Sequence, residues 1–364
     1  MLSPKTIRLL KNLTPHFIMW SIGGMLYVLL ERGLMGEAKF YPSTGNPYDF
    51  ASSLWGVIFV ILFGGLVLGL LEEVVFKRFL LAKSFAIRSL VKTTIYLSFI
   101  MTIILLTGAF NSSTLLGVPL MHPDNVAATL NLLTNFVLLS VLIYLTAFIA
   151  LTQYVRESID RIGTNAVTNF FTGKYTTPKI EDRIFMFLDM RSSTTIAEKL
   201  GHEEYYKLLN LYYKDMTDAI INTAGEIYQY VGDEIVVSWK LKRGIKNNNC
   251  IQCFFLIQRA LANNKAYYID KFGVAPGFKA GLHCGQVTTG EIGVIKKEIL
   301  FTGDVLNTTA RIQSLCNEQQ VDLLISGELK NRLQLEPSFE ASSKGNFELR
   351  GRDQSVELFA VGAL

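Results

Sequence analysis

Histidine and cysteine are scarce, four of each in 364 residues, and proline is held to nine. The cysteines are Cys250, Cys253, Cys284 and Cys316. The single Cys-x-x-Cys, at 250 and 253, has no second pair with which to build a zinc site. It opens an amphipathic helical run (Phe254, Leu256, Ile257, Ala260, Leu261), so structural thiols are expected rather than redox or metal chemistry. His202 sits by a glycine in a helix-to-helix turn and His283 ends a strand. Neither has a companion at ligand spacing. Charge is sparse too, at 18% of residues, and the net +4 gathers largely beside apolar stretches. No basic patch interleaved with aromatics is present, which excludes a nucleic-acid partner.

Apolar length is abundant instead. Half the residues are hydrophobic and the mean hydropathy is +0.30, with the excess before residue 152. Uncharged apolar spans fall at His16–Leu30, Phe50–Leu71, Thr93–Phe110 and Val126–Leu151. The second and fourth suffice for a bilayer core of about 30 Å at 1.5 Å per residue, and buried core helices are the other reading of the first and third. Lys5, Arg8 and Lys11 precede the first span, and Lys77, Arg78, Lys83, Arg88 and Lys92 crowd the second connection. The first connection holds only Arg32 and Lys39, and the third, Asn111–Asn125, holds neither residue type. With four spans this asymmetry predicts both termini cytoplasmic, and the expected location is the inner cell membrane. No small-residue cleavage site follows the first span, so a signal peptide is not expected. Glu72 and Glu73 end the second span and read as snorkelling interfacial acids. Gly64, Gly65 and Gly69 suit close helix packing. The spans hold no central charge pair or broken-helix pair of the kind a transporter uses.

Beyond the last span, Val155, Ile159, Ile162, Ala166 and Asn169 alternate spacings of four and three, a short seam or a plain amphipathic face. Gly173, Thr176, Thr177 and Pro178 then break the helix. The division expected is a membrane domain over 1–151, a linker or signalling helix over 152–179, and a third domain over 180–364.

That third domain is organised around Arg183–Thr195. Ile184, Phe185, Met186, Phe187 and Leu188 read as a strand buried on both faces, which hands out Asp189 as it leaves the sheet. Ser192, Ser193 and Thr194 follow as helix N-cap residues. An acid beside free backbone N–H groups suits a phosphate with its metal, although Asp189 alone would also read as an ordinary cap. In Glu226–Trp239, Gly232-Asp233 sits at a tight turn between two short strands. Beside Asp189 it would supply a second carboxylate, and two carboxylates can hold two Mg²⁺ on a triphosphate. In Leu300–Gln313, Asn307 and Arg311 are four apart and share a helix face, as they would on any surface helix. An amide and a guanidinium there suit orienting a sugar and neutralising a phosphoryl transition state.

These stretches, in this order and with Gly281–Gly293 read as a glycine-punctuated strand pair, resemble the catalytic domain of the class III nucleotidyl cyclases from about Glu181 onward. The expected fold is an α-helical four-span membrane domain plus an α+β cytoplasmic domain with a ferredoxin-like βαββαβ core. Expected strands include Phe278–His283, Gln286–Ile292 and Phe347–Leu349, and one helix is expected over Asn249–Lys271.

The resemblance implies a homodimer whose sites straddle two chains. Asp189 and Asp233, with the Met190 carbonyl, would bind two Mg²⁺, with Mn²⁺ as a substitute. The N–H groups from Arg191 to Thr194, including Ser192 and Ser193, would hold the triphosphate together with Arg350, which stands where the family usually has lysine. From the other chain, Asn307 would orient the ribose and Arg311 would stabilise charge at the α-phosphate. The implied reaction is in-line attack of the 3′-hydroxyl on that phosphate, releasing pyrophosphate. The base-reading positions depart from the family pattern. Where adenylate cyclases usually have lysine and guanylate cyclases glutamate, this chain has Gln229. Where Asp, Thr or Cys is common, it has Leu300. An amide can serve either purine by flipping. ATP is the expected substrate, with GTP or dual specificity as the alternative and a catalytically inactive cyclase-like receptor as the second.

Overall fold

The computed structural model describes all residues except 1–3, 42–47, 60, 63–64, 77–78, 81–82, 135, 164–168, 170–171, 296, 336 and 349–354. The chain forms two compact units, Met1–Val167 and Thr168–Leu364.

The first unit is helical: α1 (Pro4–Met35), α2 (Phe50–Phe59), α3 (Gly65–Leu71), a π-helical turn (Glu72–Phe76), α4 (Phe85–Leu116), α5 (Pro123–Thr134) and α6 (Phe136–Ile162). Among the described residues, three segments are long and apolar enough to cross a membrane: Leu13–Met35, Phe85–Leu116 and Leu138–Arg161. The expected second span, Phe50–Leu71, falls on two shorter helices, with 60 and 63–64 outside the described residues. The expected fourth span likewise falls on α5 and α6. Trp20, Leu68, Tyr96, Ile100 and Ile149 form the unit's core. Helices approach closely at glycines: a Cβ on Gly23 would lie 2.3 Å from the Phe148 ring, and one on Gly69 would lie 2.8 Å from Leu13. Glu72 does not snorkel. It is 5% exposed, bonded by Lys92, and accepts the Tyr96 hydroxyl at 2.8 Å. A buried carboxylate needs such partners, because desolvation without them costs several kcal/mol. Helix α6 ends at Ile162 and Gly163 follows with φ +93°; of the residues beyond it, 164–168 and 170–171 lie outside the described residues. Ala166 of the seam lies outside the described residues.

The second unit runs β1 (Lys179–Met190), α7 (Ser193–Asn222), β2 (Glu226–Val231), β3 (Glu234–Lys240), α8 (Leu241–Ile245), α9 (Asn249–Asn263), α10 (Lys265–Phe272), β4 (Phe278–Ile292), β5 (Glu298–Thr302), α11 (Asp304–Leu315), β6 (Leu323–Ser326), α12 (Gly327–Lys330), β7 (Phe339–Phe347) and β8 (Val356–Ala363). Among the described residues the sheet order is β2-β3-β1-β4-β6-β8-β7, with β5 on β4. Neighbours from β2 to β4 are antiparallel, and β4–β6 is parallel.

Strand β1 is central and buried on both sides. Ile184, Met186, Leu188 and Met190 face the main core with Leu208, Tyr212, Met216, Phe254 and Ile257 of α7 and α9. Phe185 and Phe187 face the other way, toward Val305 of α11 and Phe301 of β5. Arg183 on that second side is 2% exposed and bonded to Glu181, Glu226 and Ser238. All four cysteines are buried and unbridged, and burial pushes the Cys253 thiol up to about 12.

Three elements differ from the sequence reading. The expected strand pair over Phe278–Ile292 is one strand, β4, paired with β1 from Met190↔Phe278 to Lys179↔Thr289. Gly285 does not break it: a Cβ there would lie 2.7 Å from Val305 of α11, so the glycine serves packing. The expected Asn249–Lys271 helix divides at Asn264. The strand near Phe347 begins eight residues earlier, at Phe339, across polar sequence that carries no apolar alternation.

Candidate active site

Two carboxylates meet at one end of the sheet. Asp189 is the penultimate residue of β1, opposite Glu234 on β3 and Lys279 on β4. Asp233 sits in the β2–β3 turn after Gly232, whose φ of +62° suits glycine. Tyr213 of α7 holds that turn by donating its hydroxyl to the Gly232 carbonyl at 2.7 Å, and its ring packs on Tyr230. The Asp233 carboxyl faces Asp189, and its Oδ2 is buried without a hydrogen-bond partner.

The electrostatics follow from this crowding. Burial, then the facing Asp233, raises Asp189 above the ordinary carboxylate range, against the pull of Lys279 and Gln313. Burial and both aspartates push Glu234 up to about 7. The cluster thus carries an excess of oxygen donors that a hard divalent cation would relieve. Asp189 and the unsatisfied Asp233 Oδ2 fit Mg²⁺ or Mn²⁺ in donor type. Among the described residues no group of three or more His, Cys, Asp and Glu forms a larger metal cluster.

Two further side chains fix Asp189. Lys279, 9% exposed, places Nζ 3.5 Å from Oδ2. Gln313 of α11 donates Nε2 to the same oxygen at 3.2 Å. It gets there because α11 lies tight on β4: a Cβ on Gly281 would stand 2.4 Å from the Gln313 backbone nitrogen.

At the start of α7, Ser192 is left-handed (φ +55°) and makes no side-chain cap bond. Ser193 and Thr194 lie in the first turn, where backbone N–H groups have no intrahelical acceptor. The Arg191 N–H, expected to join them, instead donates to the Gly277 carbonyl at 2.9 Å. Its guanidinium is committed to Asp322 and the Val321 carbonyl. Arg191 therefore belongs to the scaffold. Met190 packs its side chain into the core at 2% exposure, leaving only its backbone carbonyl for a ligand role.

On α11, Asn307 is exposed and Arg311 half-buried, with Arg311 Nη1 buried and unpartnered. Among the described residues no hydrogen bond or ion pair joins either to Asp189 or Asp233. Gln229 is exposed on β2 beside a bulge at Ile227/Gln229, and Leu300 is half-buried on β5 opposite Gly290. Arg350 lies outside the described residues.

Sequence reasoning missed Lys279, Gln313, Glu234 and Tyr213. Lys279 was signalled by being the lone cation in the apolar run Phe278–Leu282, and Gln313 by being an amide between Ile312 and Cys316 on the buried face of α11.

Residues 176–362 match the family described as "Adenylate and Guanylate cyclase catalytic domain". The chain belongs to this family. It is 32% identical over 225 residues to Adenylate cyclase 2 of Rhizobium meliloti (strain 1021), covering 62% of each chain. It is 24% identical over 212 residues to an adenylate cyclase of Anabaena cylindrica, covering 56% of this chain and 41% of that one. The chain thus spans roughly two fifths to three fifths of these relatives' lengths. In fold it resembles a bacterial light-regulated adenylyl cyclase (TM-score 0.51, 21% identity, 59% of this chain and 64% of that one).

Proposed function

We propose that this protein is a membrane-bound adenylate cyclase that converts ATP to 3′,5′-cyclic AMP and pyrophosphate at sites shared by two identical chains. The observation that carries the reading is the facing pair Asp189 and Asp233 with its buried, unsatisfied Oδ2. Adenylate cyclase activity in the relatives favours ATP over GTP.

Asp189, Asp233 and the Met190 carbonyl would hold two Mg²⁺. Bound there, the metal supplies Lewis-acid neutralisation of the triphosphate and activation of the ribose 3′-hydroxyl. The first-turn N–H groups at Ser192, Ser193 and Thr194 receive phosphate oxygens along the helix dipole. Lys279 is placed to neutralise one of them, and Arg350 is assigned to the terminal phosphates.

A single chain leaves Arg311 Nη1 without a partner, and this supports a second chain. Arg311 of one protomer then meets the α-phosphate held by its partner, and Asn307 orients the ribose. Gln229 and Leu300 face the base and give little discrimination. A site built to hydrogen-bond its base rejects the wrong one by about 10⁴–10⁵-fold. A flippable amide and an apolar side chain fall short of that, so measurable cyclic GMP from GTP is expected.

The four strands β2-β3-β1-β4 with their two helices read as a ferredoxin-like core. We count α2 and α3 together as one broken crossing. This keeps four spans, both termini on the cytoplasmic side by the positive-inside rule, and residues 152–179 as the connection to the catalytic domain 180–364.

The test is an assay of the full-length detergent-solubilised protein for cyclic AMP and cyclic GMP with Mg²⁺ and with Mn²⁺. Cyclic AMP as main product, abolished in Asp233→Ala, is expected. Folded protein that turns over neither nucleotide would favour an inactive receptor.

A further inference from the structure

The first unit holds a second polar site, remote in sequence from the cyclase motifs. A cavity of about 260 Å³ opens between α1, the π-helical turn, α4 and α6. Its basic wall is Arg88 and Lys92 of α4 with Arg156 and Arg161 of α6. Its acids are Glu72, Glu157 and Asp160. Two of these are already matched: Glu157 by Arg88 at 2.6 Å and Arg161 at 2.9 Å, and Glu72 by Lys92 and the Tyr96 hydroxyl. Four cations against three carboxylates leave an excess positive charge. Gln153, also on the wall and 9% exposed, keeps a buried Oε1 without a hydrogen-bond partner. The wall includes a π-helical turn, a distortion that recurs at functional sites.

A shallow cleft of about 400 Å³ lies further up the same helix, lined by Leu142, Ile143, Thr146, Ala147 and Ala150 of α6. Their α6 residues follow one another along one face: Ile143, Thr146 and Ala150 of the cleft, then Gln153, Glu157 and Asp160 of the cavity, at spacings of three and four. Small side chains hollow the apolar part, and basic ones surround the polar part. From Thr146 to Glu157 is about 16 Å at 1.5 Å per residue, close to the ~15 Å hydrocarbon depth of one leaflet.

We propose that this face of α6 is a binding site for one anionic phospholipid. An acyl chain lies over Ala147 and Ala150. The phosphate sits among Arg88, Lys92, Arg156 and Arg161, and Gln153 Oε1 accepts from a headgroup hydroxyl. Basic pockets between membrane helices take acidic headgroups in this way. Because α6 runs on to Ile162, occupancy would brace the helix that leads toward the cyclase domain. The proposal rests on the reading that the first unit lies in a membrane.

The experiment reconstitutes the full chain in phosphatidylcholine vesicles and compares immobilisation of spin-labelled phosphatidylglycerol and spin-labelled phosphatidylcholine. The expected result is an excess of immobilised phosphatidylglycerol that glycerol phosphate does not displace. Arg156→Gln removes a charge-assisted contact and weakens that excess roughly tenfold. Ala150→Trp, which fills the cleft from an exposed position, weakens it without touching a charge. Equal immobilisation of both lipids, displacement by glycerol phosphate, or an unchanged excess in both variants would overturn the proposal. Release of the protein from vesicles by alkaline carbonate would instead defeat the membrane reading, so the two failures are distinct.

Discussion

Glu234 shows how one residue reports the state of the site. Its carboxyl, ordinarily near 4.5, is pushed up to about 7 by burial and the two neighbouring aspartates. The unfolded chain therefore loses this proton first, and the metal-free folded protein loses stability as pH rises from 4.5 toward about 7. Asp189 is shifted in the same direction. The difference in melting temperature between Glu234→Gln and the parent should grow in the variant's favour across that window, and Mg²⁺ should shrink it. A parent that gains on the variant as pH rises would contradict the assigned crowding. Gln313 acts through Asp189, whose Oδ2 it holds at 3.2 Å. Partners that orient metal ligands are worth about 10–100-fold in metal affinity or activity. Gln313→Leu should therefore weaken Mn²⁺ binding, read by calorimetry, by that factor. Asp189 and Asp233 stood out in the sequence because each ends an apolar strand run. Gln313 stood out only as an amide on a buried helix face, and its partner did not, because a contact across 124 residues leaves no local pattern.

At the scale of elements, α11 is the piece that must be placed. It carries Asn307 and Arg311 on one side and packs Val305, Ile312 and Gln313 on the other. Two glycines on β4, Gly281 and Gly285, admit it to the sheet. Gly281→Ala would drive a methyl into the α11 backbone, which cannot rotate away as a side chain can. Overpacking of this kind costs about 1–3 kcal/mol. Urea denaturation of the purified protein should show that loss, together with a fall in Mn²⁺ affinity through displaced Gln313. Unchanged stability would mean that α11 sits further off the sheet. Strands β1, β3 and β4 were legible from their dense apolar runs. Strand β7 was not, since its exposed residues (Glu340, Ser342, Ser343, Lys344) carry no signal. The glycines of β4 misled, because punctuation and close packing use the same residue.

At the scale of the whole molecule, the proposed site is shared between two chains. Asp189 and Asp233 gather excess negative charge at one end of the sheet, while Arg311 keeps a buried Nη1 unsatisfied. Each orphan is what the other would need across a two-fold interface. The direct measurement is complementation between two inactive chains. Asp189→Ala and Arg311→Ala should each make folded, inactive homodimers. Co-expressed with different tags and purified through both, they should form heterodimers with one intact site and one doubly broken site. The account predicts that these recover about half the cyclic AMP production of the parent, since one of two sites is intact. Isolated heterodimers that stay as inactive as either homodimer would contradict it.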